Sequence, residues 1–185
     1  MKVNDITGII LAGGKSRRFG RDKAAYMVNG LPMIEHVYRA LSTITSHVFL
    51  SIRDFDTPTT LPVPAVVDQY PGMGPLAGLH AGLAAAKTPW VLAVACDIPY
   101  VTPDVLWLLT DARSTDTAAV LARTPDGRNQ PLCACYSAVI RSVVEEQLSA
   151  GRLSMSELLG LLSPVRIVEV PGAPLRNINT PSDLF

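Results

Sequence analysis

The chain has 185 residues, 48% of them hydrophobic and 17% charged, enough for one buried core and too few for two comfortable ones. Its 16 basic and 16 acidic residues cancel, which excludes a global field drawing it to nucleic acid or to a membrane surface. Three cysteines, Cys96, Cys133 and Cys135, make no disulfide framework and point to a reducing cytoplasm, and the N-terminal residues carry no apolar signal segment.

The expectation is therefore one cytoplasmic domain over residues 1–185. In chain order, Ile6 to Leu11 is a short unbroken apolar run, as are Val48 to Ile52, Val63 to Val67 and Trp90 to Ala95. Continuous runs of this kind suit strands of a parallel sheet covered on both faces. Between them lie helix-period stretches. Pro32 to Leu41 carries Met33, Ile34, Val37 and Leu41, and Pro75 to Lys87 ends before Thr88-Pro89. Thr102-Pro103-Asp104 opens a third helix, with Thr102 as N-cap and Pro103 at the first position. Farther on, Thr117 to Leu121, Leu132 to Tyr136 and Val165 to Val170 are expected to be strands, and Ser137 to Leu148 and Ser154 to Leu162 helices. Thr57 to Pro64 is expected to be a loop. Strands alternating with helices predict a Rossmann-like three-layer α/β/α fold with a mostly parallel sheet. In such sheets ligands bind beyond the carboxyl ends of the strands.

The first strand runs into Ala12-Gly13-Gly14-Lys15-Ser16. A P-loop requires a glycine at position 9, which is Ile9, and Gly8 precedes the strand core by one place too few; the dinucleotide G-x-G-x-x-G spacing also fails. What remains is a sharp glycine turn able to present backbone N–H groups to a ligand. Five of the 16 basic residues follow it: Lys15, Arg17, Arg18, Arg21 and Lys23. That density at a strand end fits a polyphosphate, against the plainer reading of a solvated basic loop. Asp68 and Asp97 are each the first charge after an apolar strand. Singly each reads as a turn or cap; paired on the edge that carries the cations, they suit Mg²⁺, which takes one or two protein carboxylates plus substrate phosphates.

These segments resemble the nucleotidyltransferase-type α/β family, and the doubled glycine and doubled arginine of Leu11 to Lys23 most closely resemble the molybdenum cofactor guanylyltransferases. Asp68 with Gly72-Met73-Gly74-Pro75-Leu76-Ala77-Gly78, Cys96-Asp97-Ile98-Pro99, Gln130-Pro131-Leu132 and Asn177-Ile178-Asn179-Thr180-Pro181 continue the likeness in order along nearly the whole chain. The resemblance implies transfer of GMP from GTP to the phosphate of molybdopterin, with release of pyrophosphate and dependence on Mg²⁺. It assigns the metal to Asp97, the α-phosphate to Lys23, and the departing phosphates to Arg17 and Arg18. It places Leu11, Ala12, Gly13, Gly14, Asp68, Gly74 and Gly78 around the nucleotide, and Gln130, Asn177 and Asn179 on the pterin side. Many relatives have Asn where this chain has Ser51, which puts that nucleotide contact in question.

The resemblance implies GTP and molybdopterin as substrates, and molybdoenzymes or their chaperones as further partners. The rival readings are a molybdenum cofactor cytidylyltransferase, whose relatives tend to have Leu-Ala-Ala-Gly in place of Leu11-Ala12-Gly13-Gly14, and a catalytically inactive nucleotide-binding adaptor. His36, His47 and His80 read as satisfied structural histidines, Cys133 and Cys135 as core, and Trp90 and Trp107 as packing residues.

Overall fold

The computed structural model describes residues 2–12, 25–53 and 61–184. Its strands are β1 (Ile6–Leu11), β2 (Met27–Val28), β3 (Leu31–Pro32), β4 (Val48–Ile52), β5 (Ala65–Val67), β6 (Trp90–Ala95), β7 (Ala119–Arg123), β8 (Asn129–Ser137) and β9 (Val165–Glu169). Its helices are α1 (Met33–Ile44), α2 (Pro75–Ala85), α3 (Pro103–Asp111), α4 (Arg141–Ser149) and α5 (Met155–Leu161). The main sheet has the order β5-β4-β1-β6-β8-β7-β9. Neighbours are parallel throughout except for β8, which runs against both β6 and β7.

Alternation along the strands divides the core in two. Ile6 and Ile10 of β1 face α1 and α3, packing with Val37, Leu41, Leu106 and Leu109. Ile9 and Leu11 face the other way, toward α2, α4 and α5, with Leu79, Val144 and Leu158. This is the expected three-layer arrangement. Both faces of β1 and β6 are covered, so every residue of each strand is buried, and each large aliphatic side chain so placed contributes about 1.5–3 kcal/mol of burial.

Boundaries differ from expectation where backbone chemistry intervenes. Strand β5 begins at Ala65, after Pro64, whose carbonyl still accepts from the Leu50 N–H at 3.0 Å; a proline is tolerated at the margin of an edge strand. Strand β8 begins at Asn129, three residues before the expected start, because a break in register between Leu121 and Ala122 absorbs Pro131. Strand β7 starts at Ala119, since Thr117 closes a turn by donating its N–H to the Ser114 carbonyl at 3.0 Å. Residues Ala138–Ile140 form a 3₁₀ turn before α4. Thr102 precedes α3 with extended backbone but makes no side-chain cap bond, whereas Ser154 Oγ accepts from the Glu157 N–H at 3.3 Å. Asn29 and Gly30, with φ of 48° and 82°, turn the small β2–β3 hairpin.

Helix α2 is wedged between the sheet and α4, and Leu76 to Leu83 are all buried. Two glycines, one turn apart, set its approach to β1. A Cβ on Gly82 would lie 3.0 Å from Ile9 Cγ1, and one on Gly78 only 2.7 Å from Ser51 Oγ.

The same helix carries the exception among the histidines. His36 Nε2 lies 2.7 Å from the Val28 carbonyl, and His47 is exposed, but His80 is 2% exposed and neither of its ring nitrogens meets a hydrogen-bond partner among the described residues. It packs edge-on to Tyr70, with ring centroids 5.1 Å apart. The expectation of a satisfied histidine is thus corrected: apolar packing of the Gly/Ala helix holds the ring, not a polar partner. Burial lowers its pKa, with Glu145 opposing and Arg141 reinforcing. A base whose folded pKa is depressed binds more protons when unfolded, so stability is full above the unfolded value near 6.5 and falls as pH drops below it. Urea unfolding at stepped pH from 7.5 to 5.5 should show this loss, up to about 1.4 kcal/mol per pH unit, and His80→Leu should remove that component of the slope.

Candidate active site at the carboxyl edge of the sheet

Because β1, β4, β5 and β6 are parallel, their carboxyl ends lie on one edge. Leu11 sits in register with Ser51 of β4 and Ala95 of β6. The Ala12 N–H donates to the Ser51 carbonyl and the Cys96 N–H to the Leu11 carbonyl, both at 3.1 Å. The chain thus leaves β1 at the centre of this edge, with Leu11 buried and Ala12 half-buried. Gly13, Gly14, Arg17, Arg18 and Lys23 lie outside the described residues.

On one side of this exit is a buried polar pair. Ser51 is fully buried, and its Oγ donates to Asp68 Oδ1 at 2.9 Å. Asp68 is 7% exposed and its N–H donates to the Ile52 carbonyl at 3.0 Å. Burial raises the pKa of its carboxyl, and the Ser51 hydroxyl partly offsets this by stabilising the charge. The Ser51 hydroxyl, where many relatives have Asn, is thus engaged inside the protein on the Asp68 carboxyl. Gly78 completes the packing over it. Gly74 stands at the N-cap of α2 with φ of 71°, exposed beside Pro75.

On the other side, Asp97 occupies the turn that follows β6, closed by the Ile98 N–H on the Ala95 carbonyl at 3.4 Å. Its own carbonyl accepts from the Ile178 N–H at 2.8 Å. This bond draws the Asn177-Ile178-Asn179 segment to the strand edge, although it is distant in sequence. Ile178 is fully buried against Val28 and Met33, with Tyr26 and Tyr100 beside them. The asparagines on either side of it are exposed. Asp183 fixes the turn beyond: its Oδ2 accepts from the N–H groups of Asn179 at 2.6 Å and Thr180 at 2.8 Å, and those bonds hold its pKa below the usual carboxylate range.

Since β8 is reversed, its first residues, and so Gln130, return to the same edge. Two adjoining clefts open there. The smaller, about 200 Å³, is lined by Asp97, Ile98, Gln130, Leu132 and Asn177. The larger, about 630 Å³, shares Gln130 and Asn177 and adds Asn179. Of the residues assigned to the pterin side, Gln130 and Asn177 share the smaller cleft with Asp97, Asn179 lies in the adjoining one, and the Ile178–Asp97 hydrogen bond draws the C-terminal pair to this edge. Thr124, Asp126, Arg128 and Arg176 also line the larger cleft, and motif reading passed over them. Pro125-Asp126-Gly127 signals a turn, but only the reversal of β8 shows that this turn reaches the edge.

Asp97 beside the amides of Gln130 and Asn177 offers oxygen ligands of the kind Mg²⁺ accepts, and a single carboxylate suits a cation that is completed by substrate phosphates and water. The described residues hold no group of three or more His, Cys, Asp or Glu able to bind a metal alone. Cys133 and Cys135 are fully buried in the core, and burial pushes the Cys133 thiol up to about 12. No helix among the described residues is long and apolar enough to cross a membrane.

Comparison with known proteins gives this geometry a lineage. Residues 8–164 match the model of the MobA-like NTP transferase domain. The chain is 36% identical over 184 residues to a probable molybdenum cofactor guanylyltransferase of Mycobacterium tuberculosis, covering 97% of this chain and 91% of the relative. Among solved structures, a putative protein from Aquifex aeolicus superposes with a TM-score of 0.81 at 27% identity, covering 96% of this chain and 94% of the other. The molybdopterin-guanine dinucleotide biosynthesis protein A of Archaeoglobus fulgidus superposes with a TM-score of 0.79 at 25% identity and the same coverage. The chain therefore belongs to the MobA-like NTP transferase family and is a nucleotidyltransferase of the molybdenum cofactor guanylyltransferase type.

Proposed function

We propose that this protein transfers GMP from GTP to the terminal phosphate of molybdopterin, releasing pyrophosphate in an Mg²⁺-dependent reaction. The observation that carries the reading is the convergence of Leu11, Ala12 and Asp68 on one side of the sheet edge with Asp97, Gln130 and Asn177 on the other. It is supported by extended similarity to relatives named for that transfer. A phosphate oxygen of the acceptor attacks the α-phosphorus of GTP in line, a new P–O bond forms, and the bond to the β-phosphate bridging oxygen breaks. Such a step is accelerated mainly by positioning and charge neutralisation.

In this reading Leu11, Ala12, Gly13 and Gly14 lend backbone groups to the nucleotide, while Lys23 neutralises the α-phosphate and Arg17 and Arg18 the departing pair. Asp68, held by Ser51, orders the nucleotide side, and Gly74 and Gly78 let the backbone come near the base. Asp97 would hold Mg²⁺, which when bound neutralises phosphate charge. Gln130, Asn177 and Asn179 offer amide donors and acceptors to the pterin ring. The dinucleotide product is expected to pass to molybdoenzymes or their chaperones after transfer.

The test offers molybdopterin with GTP, CTP or ATP plus Mg²⁺ and follows pyrophosphate. GTP should react fastest. Faster release with CTP would replace the guanine assignment with cytidylyl transfer, and binding of nucleotide without release would make the protein an adaptor.

A further inference from the structure

The larger cleft is too roomy for a phosphate and lies in the range of sites that enclose small organic molecules. It continues the smaller one through Gln130 and Asn177, so among the described residues it offers an acceptor reacting beside Asp97 a direction in which to extend its body. Among the described residues the charged lining along that direction is Asp126, Arg128 and Arg176.

The two arginines are prepared differently. Asp126 Oδ2 lies 2.6 Å from both Nε and Nη2 of Arg128. Thr124 donates its hydroxyl to Asp126 Oδ1 at 2.5 Å, and these bonds, Thr124 first and Arg128 second, hold the Asp126 carboxyl down to about 2. The acid thus remains charged and fixes the guanidinium plane while using two of its five N–H donors. Arg176 donates to the carbonyl of Asp183, whose carboxylate is turned to the backbone of Asn179 and Thr180. Both arginines border the three amides.

Resting on the functional reading above, we infer that Arg128 and Arg176 are specificity-determining residues that recognise negative charge on the acceptor's body, remote from its reacting phosphate. The ligand chemistry is a heteroaromatic acceptor bearing a dithiolate or an oxo-metal centre. Guanidinium forks suit such delocalised anionic groups better than ammonium groups do, and the amides that line the same cleft read the ring.

Steady-state kinetics of Arg128→Gln and Arg176→Gln, with molybdopterin and GTP varied separately, test this. Each variant should raise the acceptor KM about tenfold or more, the worth of one charge-assisted hydrogen bond, while the KM for GTP stays within about twofold. Arg128→Lys should recover part of the loss. Arg128 lies on an exposed turn, so its variant tests the inference even if Arg176→Gln loosens the C-terminal segment. Metal-free and molybdate-loaded acceptors separate the two sources of charge: an effect on both assigns the thiolates, and an effect on the loaded form alone assigns the oxo-metal centre. An unchanged acceptor KM in Arg128→Gln, with transfer still proceeding, overturns the inference. Absence of transfer by the unaltered protein overturns the functional reading itself.

Discussion

Replacing Asp97 by alanine should lower pyrophosphate release by about a thousandfold or more, the several kcal/mol that a phosphate-bound metal contributes, while the melting temperature stays within about 2 °C. The separation is expected because the half-buried carboxylate lines a cleft, whereas the Asp97 backbone, through its carbonyl, does the structural work of holding Ile178. Alanine keeps that carbonyl. Asp97→Asn, which preserves shape and removes charge, should be nearly as inactive. Turnover that survives either change would remove Asp97 from the metal assignment. A large fall in melting temperature with proportionate loss of activity would make its role structural.

The second large effect is expected at Gly78, where close packing is at stake. An alanine there puts a methyl group 2.7 Å from Ser51 Oγ and 3.1 Å from Leu11 Cδ2. Either α2 lifts from the sheet or Ser51 rotates and abandons Asp68. Overpacking of this kind costs about 1–3 kcal/mol, which lowers the melting temperature by roughly 2–12 °C in a chain of this size. Ser51→Ala alone leaves buried Asp68 without its hydroxyl donor, a loss of about 1–3 kcal/mol. The two changes together should cost less than their sum, because the atom the new methyl meets first is gone. Calorimetry of the four proteins measures this coupling, and strict additivity would show that the contact at Ser51 does not limit the approach of α2. If Asp68 orders the nucleotide, the KM for GTP should rise in all three variants.

The sheet was readable in the sequence where strands are buried on both faces. Strands β1, β4 and β6 match the apolar runs end to end. Strands β5, β7 and β8 were shifted by Pro64, Thr117 and Pro131, because a missing N–H or a local turn overrides an apolar pattern. Asn29-Gly30 turns a hairpin that periodicity alone does not reveal. In the site, Asp68 and Asp97 were legible as the first charges after apolar strands. The environment of Ser51 was not, since its partner lies 17 residues away across two strands. Arg128 and Arg176 had no motif to announce them, and their position depends on strand order. His80 runs the other way: chemistry predicts a partner for a buried imidazole, and packing holds it without one among the described residues.

The single reversed strand has an evolutionary consequence. Because β8 opposes its neighbours, what reaches the ligand edge between β7 and β8 is a short exposed turn and not a helical crossover. Insertions or replacements there leave every crossover and both core layers intact. On the opposite half of the edge the strand ends at Leu11 and Ser51 are sealed against Gly78, so replacements of those residues disturb the packing of α2. Selection can therefore retune what is bound beside β8 quickly, on a scaffold whose other half changes slowly.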